Sequence, residues 1–97
     1  MKTIPKTFKR SGYTYIRLYQ EADVVIYQQN LIDSDKTTSY EVCIVRTRAS
    51  DNEFTGTKAG DEYLPSPEEW GRYGWTYTSW EEAVNKANQL VNREREH

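Results

Sequence analysis

The chain has 97 residues, 29% charged and 36% hydrophobic, with a net charge of −2 and a single cysteine. That length suits one domain, 1–97, whose modest core needs neither disulfide nor metal. The near-neutral balance argues against a general nucleic-acid-binding protein and against a strongly acidic DNA mimic, and no apolar run approaches the length of a membrane span.

Residues 1–6 are predicted to form a loose arm; they lack the apolar stretch of a signal peptide, so a cytoplasmic location is expected. Thr7-Phe8-Lys9-Arg10 reads as a short edge strand turned by Ser11-Gly12. Residues 13–19 have strong strand propensity. Alternation puts Thr14, Ile16 and Leu18 on one face and Tyr13, Tyr15, Arg17 and Tyr19 on the other. After the polar turn Gln20-Glu21-Ala22-Asp23, residues 24–28 are apolar on both faces, the pattern of a central strand. Asp33-Ser34-Asp35-Lys36 is a turn and lacks the glycine and closing glutamate of a calcium loop.

Residues 40–48 form the longest predicted strand. Tyr40, Val42 and Ile44 share one face; Glu41, Cys43, Val45 and Thr47 share the other. The short connections make these strands antiparallel neighbours. Cys43, in mid-strand, suits a small buried hydrophobe. Residues 49–60, punctuated by Asp51-Asn52, Gly56 and Gly60, are predicted to form a hairpin, with 54–58 or 62–64 rejoining the sheet weakly.

The most informative stretch is 66–91, which holds all three tryptophans. Ser66-Pro67-Glu68-Glu69 combines a capping serine, a proline at the first helical position and a glutamate three residues on, predicting one helical turn. Gly71 and Gly74 turn the chain, and Trp75-Thr76-Tyr77 is a short strand. Ser79-Trp80-Glu81-Glu82 is a capping box. Trp80, Ala83, Val84, Ala87, Leu90 and Val91 then recur at helical spacing, making an amphipathic helix that frays over 93–97. A helix this short is marginal alone, so its stripe must lie on the sheet. The predicted fold is α+β: an antiparallel sheet of about four strands (β-β-β-β-α) with the C-terminal helix across one face. A partly closed barrel plugged by the helix is the alternative. The predicted core is Ile16, Leu18, Val24, Ile26, Val42, Ile44, Trp80, Val84, Ala87 and Leu90.

Glu69-Trp70-Gly71 with Gly74-Trp75-Thr76-Tyr77, followed by Glu82-Ala83 opening the last helix, resembles a segment of small bacteriophage and prophage proteins of uncharacterised function. Gly12-Tyr13, Val25-Ile26-Tyr27-Gln28 and Tyr40-Glu41-Val42 are similar too, so the resemblance covers most of the chain, loosely outside 66–83. It implies a mobile-element origin and a small accessory role, and no more. It carries over no catalytic residue.

Catalytic signatures are absent from the sequence itself. The lone histidine is the terminal His97, so a Ser-His or Cys-His pair has no base where the chain is best ordered. One cysteine and one tail histidine do not make a zinc site. Gly71 and Gly74 lack the lysine and hydroxyl residue of a phosphate loop. Glu62, Glu68 and Glu69 sit in a solvated acidic stretch. No enzyme, cofactor or metal site is expected.

Two binding readings remain. Six of the chain's thirteen aromatics fall within 63–80. Their first duty is core packing, but Arg72 and Tyr73 lie on a turn between glycines. Trp70, Arg72, Tyr73, Trp75 and Tyr77 are the residue types of interface hot spots. They make a non-catalytic protein-interaction module the leading expectation, with a host protein, a defence factor among the candidates, as partner. The alternative is nucleic-acid binding by Lys9, Arg10, Tyr13, Tyr15 and Arg17, a basic, tyrosine-rich strand face on which bases would stack. Alternating tyrosines also serve as cross-strand packing partners. Residues 1–20 carry five basic side chains and no acid, while 51–69 carry six acids and one lysine; the two regions either neutralise each other or face partners of opposite charge. A homodimer is a further expectation, since Tyr13, Tyr15, Tyr19, Val25 and Tyr27 would otherwise leave a broad aromatic face in water.

Overall fold

The computed structural model describes residues 2–34 and 36–95, the last two by backbone alone. Asp35 of the predicted turn and the 96–97 end of the predicted tail lie outside them. The fold is α+β. Strands β1 (Thr7–Arg10), β2 (Tyr13–Glu21), β3 (Val24–Leu31) and β4 (Thr37–Ile44) form a meander, and β7 (Gly74–Tyr77) returns to pair with β4. The order β1-β2-β3-β4-β7 is antiparallel throughout. Ser11 and Gly12, at φ of 55° and 86°, make the tight β1–β2 turn that right-twisted strands favour.

Helix α1 (Trp80–Arg95) begins where the Glu82 amide donates to the Ser79 hydroxyl at 3.4 Å. Its stripe of Ala83, Ala87, Leu90 and Val91 is buried against Val24, Ile26, Val42 and Ile44. These are the even positions of β3 and β4, as alternation requires. Each fully buried valine or isoleucine contributes roughly 1.5–3 kcal/mol, which anchors a helix that would be marginal alone. The two alanines let α1 approach the sheet closely. Trp80 instead sits at the rim, 39% exposed, with its ring edge-on to Tyr40 at 5.4 Å. The core prediction therefore holds for Leu90 and fails for Trp80.

A β-bulge accounts for the other core correction. Arg17 pairs with Tyr27 and Tyr19 with Ile26, leaving Leu18 as the extra residue. The bulge moves Tyr19 to the helix side, so it does not share a face with Tyr13, Tyr15 and Arg17. Leu18 is 48% exposed and Ile16 half-buried rather than core, because α1 lies over β3, β4 and β7 and leaves that part of β2 uncovered.

The second face has its own core of Ile4, Tyr15, Val25, Tyr27, Cys43 and Val45. It is covered by irregular chain. The arm predicted to be loose is pinned: Ile4 is 5% exposed, the Lys2 amide donates to Asp61 Oδ1 at 2.8 Å, and the Ile4 amide donates to Glu62 Oε1 at 3.0 Å. The Tyr27 hydroxyl donates to the Pro5 carbonyl at 2.5 Å. Burial pushes the Tyr27 phenol up to about 12, and likewise the Cys43 thiol up to about 12, so both stay protonated at neutral pH and the cysteine is a packing group. Of the residues that suggested a second copy, Tyr15, Val25 and Tyr27 are buried within the fold, Tyr13 is half-buried, and Tyr19 is half-buried on the helix side.

The longest predicted strand is broken. β4 ends at Ile44, and β5 (Arg46–Thr47) pairs instead with β6 (Glu62–Tyr63) as a separate ribbon. The chain between them makes an excursion held by Arg48 N–H donating to the Asp61 carbonyl at 2.8 Å and by a tight turn over 52–57.

Candidate binding surface

The segment from Ser66 to Tyr77 reaches both faces of the sheet. A single turn of 3-10 helix, Pro67–Glu69, follows Ser66, whose amide donates to Glu69 Oε1 at 3.0 Å. β7 then alternates. Trp75 and Tyr77 pair with Val42 and Tyr40 and join the helix-side core, with the Lys86 ammonium 4.4 Å from the Trp75 ring centroid. Trp70 lies on the opposite face, over Gly74. A Cβ at Gly74 would meet the Trp70 ring at 2.5 Å, so the glycine is required by a close approach. Trp70 Nε1 donates to Thr76 Oγ1 at 2.9 Å. The five residues predicted to form one interaction patch are thus divided, Trp70 on one face and Trp75 and Tyr77 on the other.

Tyr73 also packs against the helix-side core, and with Arg72 it joins a further assembly. The Arg46 guanidinium carbon lies 4.0 Å from the Tyr73 ring centroid and 4.8 Å from that of Tyr63. Arg48 lies 4.1 Å from Tyr63, and Arg72 5.7 Å from Tyr73. The contacts run as a chain, Arg72–Tyr73–Arg46–Tyr63–Arg48. Arg46 is also ion-paired to Glu69, which holds the Glu69 carboxyl below the usual glutamate range. Each cation–π contact at an exposed arginine contributes about 0.5–1 kcal/mol, and the contacts order the exposed Arg48 and Arg72 on either side of the half-buried, ion-paired Arg46. Arg48 and Arg72, at the two ends, are exposed.

The excursion that starts at Arg48 ends in a structured tip. Asn52 Oδ1 accepts from the amides of Phe54 at 3.0 Å and Thr55 at 3.4 Å, and Phe54 is fully exposed. Neither the arginine–tyrosine ladder nor the phenylalanine tip is visible as a pattern in the chain. The ladder draws single residues from 46–48, 63 and 72–73, and adjacency across that distance has no periodic signal.

The basic, tyrosine-rich stripe is placed differently from its prediction. Arg10, Tyr13, Tyr15 and Arg17 share the second face, while Lys9, paired with Thr14, points to the other. Tyr15 is 4% exposed and stacked on Phe8 at 4.7 Å. Arg17 is half-buried and donates to the Ile4 carbonyl at 3.4 Å. A ring stacked and covered in this way cannot also stack a nucleotide base, so Tyr15 is a packing residue, while Lys9 and Arg10 are exposed and Tyr13 half-buried.

The second face also carries a groove of about 360 Å³ lined by Arg10, Glu41, Pro67, Trp70 and Thr76. Glu41 stands between Tyr27 and Thr76 in the strand register. Burial raises its carboxyl above the ordinary glutamate range, opposed by the positive charge of Arg10.

Among the described residues no three His, Cys, Asp or Glu side chains converge as a metal site, and no helix is long and apolar enough to cross a membrane. No protein family, curated protein or solved structure matches this chain.

Proposed function

We propose that the chain is a small non-catalytic protein-interaction module, of the accessory kind carried by bacteriophages and other mobile elements, that binds and modulates a host protein in the cytoplasm. Its contact surface is the excursion 46–63 together with the turn at Arg72 and Tyr73. The observation that carries this reading is the arginine–tyrosine ladder, which begins on that turn and ends at the base of a loop tipped by an exposed phenylalanine. Tyrosine and arginine are favoured at hot spots because both bring large contact area with directional polar groups. Stacking orders the arginines before any partner arrives, which lowers the entropy cost of binding. The ends of the ladder are cationic, so the partner presents carboxylates to Arg48 and Arg72 and an apolar pocket to Phe54, whose loop itself carries Asp51 and Glu53.

The test is capture from host lysate by the tagged chain, with nuclease, set beside the variants Arg48→Glu, Arg72→Glu and Phe54→Ala. The reading requires one protein retained after nuclease and lost from the charge-reversed variants. Capture that disappears with nuclease would make this a nucleic-acid binder, since phosphate contacts would then carry the affinity. Capture unchanged in all three variants would remove the ladder and the tip from the interface.

A further inference from the structure

Glu41 is a charged group that the fold half-buries. It sits in the middle of the second face, on a strand flanked on both sides. Among the described residues its carboxylate accepts no hydrogen bond and forms no ion pair, and the charge acting on it is the Arg10 guanidinium. A half-buried carboxylate in that state costs free energy unless something supplies donors.

The groove around it is built from fixed walls. Arg10 is held with its guanidinium carbon 5.8 Å from the Phe8 ring centroid and 5.6 Å from that of Tyr15. Trp70 is held by Gly74 beneath it and by its 2.9 Å hydrogen bond to Thr76. That bond uses the indole N–H, so Trp70 offers the groove its apolar ring. Glu41 itself is set by backbone pairing to both neighbours. A groove of about 360 Å³ falls near the lower end of the range that holds small ligands, about 300–1,000 Å³.

The charges decide the ligand. A simple cation placed on Glu41 would be opposed by Arg10, and a simple anion placed on Arg10 would be opposed by Glu41. A neutral apolar molecule would bury the carboxylate further with no donor to match it. A molecule with a positive and a negative group close together satisfies both ends and adds no net charge. We propose that this groove binds a free amino acid with an apolar side chain, its ammonium on Glu41, its carboxylate on Arg10 and its side chain against Trp70. The proposal goes beyond the protein-interaction reading and uses none of the ladder residues or Phe54, so either can fail without the other.

The experiment is an NMR titration of the intact chain, following the indole N–H of Trp70 and the amides of Glu41 and Thr76. The probes are L-phenylalanine, phenethylamine, which lacks the carboxylate, and 3-phenylpropionate, which lacks the ammonium. Phenylalanine should shift these signals saturably. Each one-charge analogue should bind about tenfold more weakly or worse, the loss of one charge-assisted hydrogen bond. In Glu41→Gln the preference for phenylalanine over 3-phenylpropionate should disappear. No saturable shift with phenylalanine up to its solubility limit would overturn the proposal. So would equal binding of all three probes, or of phenethylamine and phenylalanine, which would make this a plain cation site. The wild-type comparison alone decides the matter even if the variant is unstable.

Discussion

The two faces of one sheet are built on different principles. On the helix side, Val24, Ile26, Val42 and Ile44 meet a stripe of α1, and the whole contact follows from residues spaced by two in strands and by three and four in a helix. On the other side, Val25, Tyr27 and Cys43 meet Ile4, Leu64 and Trp70, which come from an arm and a loop with no period of their own. The first face is apolar at its centre. The second is held by hydrogen bonds to Asp61, Glu62 and the Pro5 carbonyl, and it keeps one carboxylate unmatched beside a groove. Periodic elements supply stability cheaply, and the polar groups with spare valence collect where irregular chain does the covering.

The contrast is sharpest on β3, where adjacent residues serve opposite faces. Ile26→Ala, fully buried under α1, should produce the largest loss of stability, about 2–5 kcal/mol by chemical denaturation, because it leaves a cavity between helix and sheet that neither can collapse to fill. Gly74→Ala should cost less, about 1–3 kcal/mol of overpacking, and the damage should be one-sided. The new methyl displaces Trp70, so the Trp70 indole N–H resonance should move while the amides of α1 stay put. A Gly74→Ala protein whose helix resonances move as far as the Trp70 signal would show that the two faces are not separable.

This division also explains what could be read in the chain. Capping residues and apolar period located α1, the turn at Pro67–Glu69 and the strands, because those signals are local. The bulge at Leu18 was not legible: alternation runs unbroken through residues 13–19, and the extra residue appears only when Arg17 and Tyr19 are paired with Tyr27 and Ile26. The pinned arm was missed for the same reason, since its partners Asp61 and Glu62 lie far along the chain and read as surface acids. The charge asymmetry was a partial clue, as the acids of 61–62 do receive the N-terminal segment, though through its backbone amides rather than its lysines. Of the predicted interaction residues, Arg72 and Tyr73 enter the ladder; the arginines that complete it, Arg46 and Arg48, lay in what read as the end of a strand.

Tyr27→Phe tests the second face from the next residue along. It preserves the ring and removes one donor, leaving the Pro5 carbonyl without its 2.5 Å partner. A loss of about 1 kcal/mol is expected, with faster hydrogen exchange at the Ile4 amide and none added in α1. Equal acceleration in both places would mean that the arm and the helix open together.

The smallest effect, and the one with the opposite sign, belongs to Glu41. Its carboxyl is raised above the ordinary glutamate range by burial, so folding favours the protonated form. The sign follows from proton linkage. Between the unfolded and folded pKa the native state binds more protons, so stability falls as pH rises through that window and stays lower above it. Glu41→Gln keeps the shape and removes the charge. It should therefore be slightly more stable than the parent at pH 7, and the difference should vanish below the unfolded glutamate pKa. Thermal melts of both proteins across that range measure it directly. A destabilised Gln variant at pH 7 would mean that the carboxylate is a structural partner after all, matched by Arg10. A stabilised one means that the fold carries this charge at a cost, as binding grooves do and cores do not.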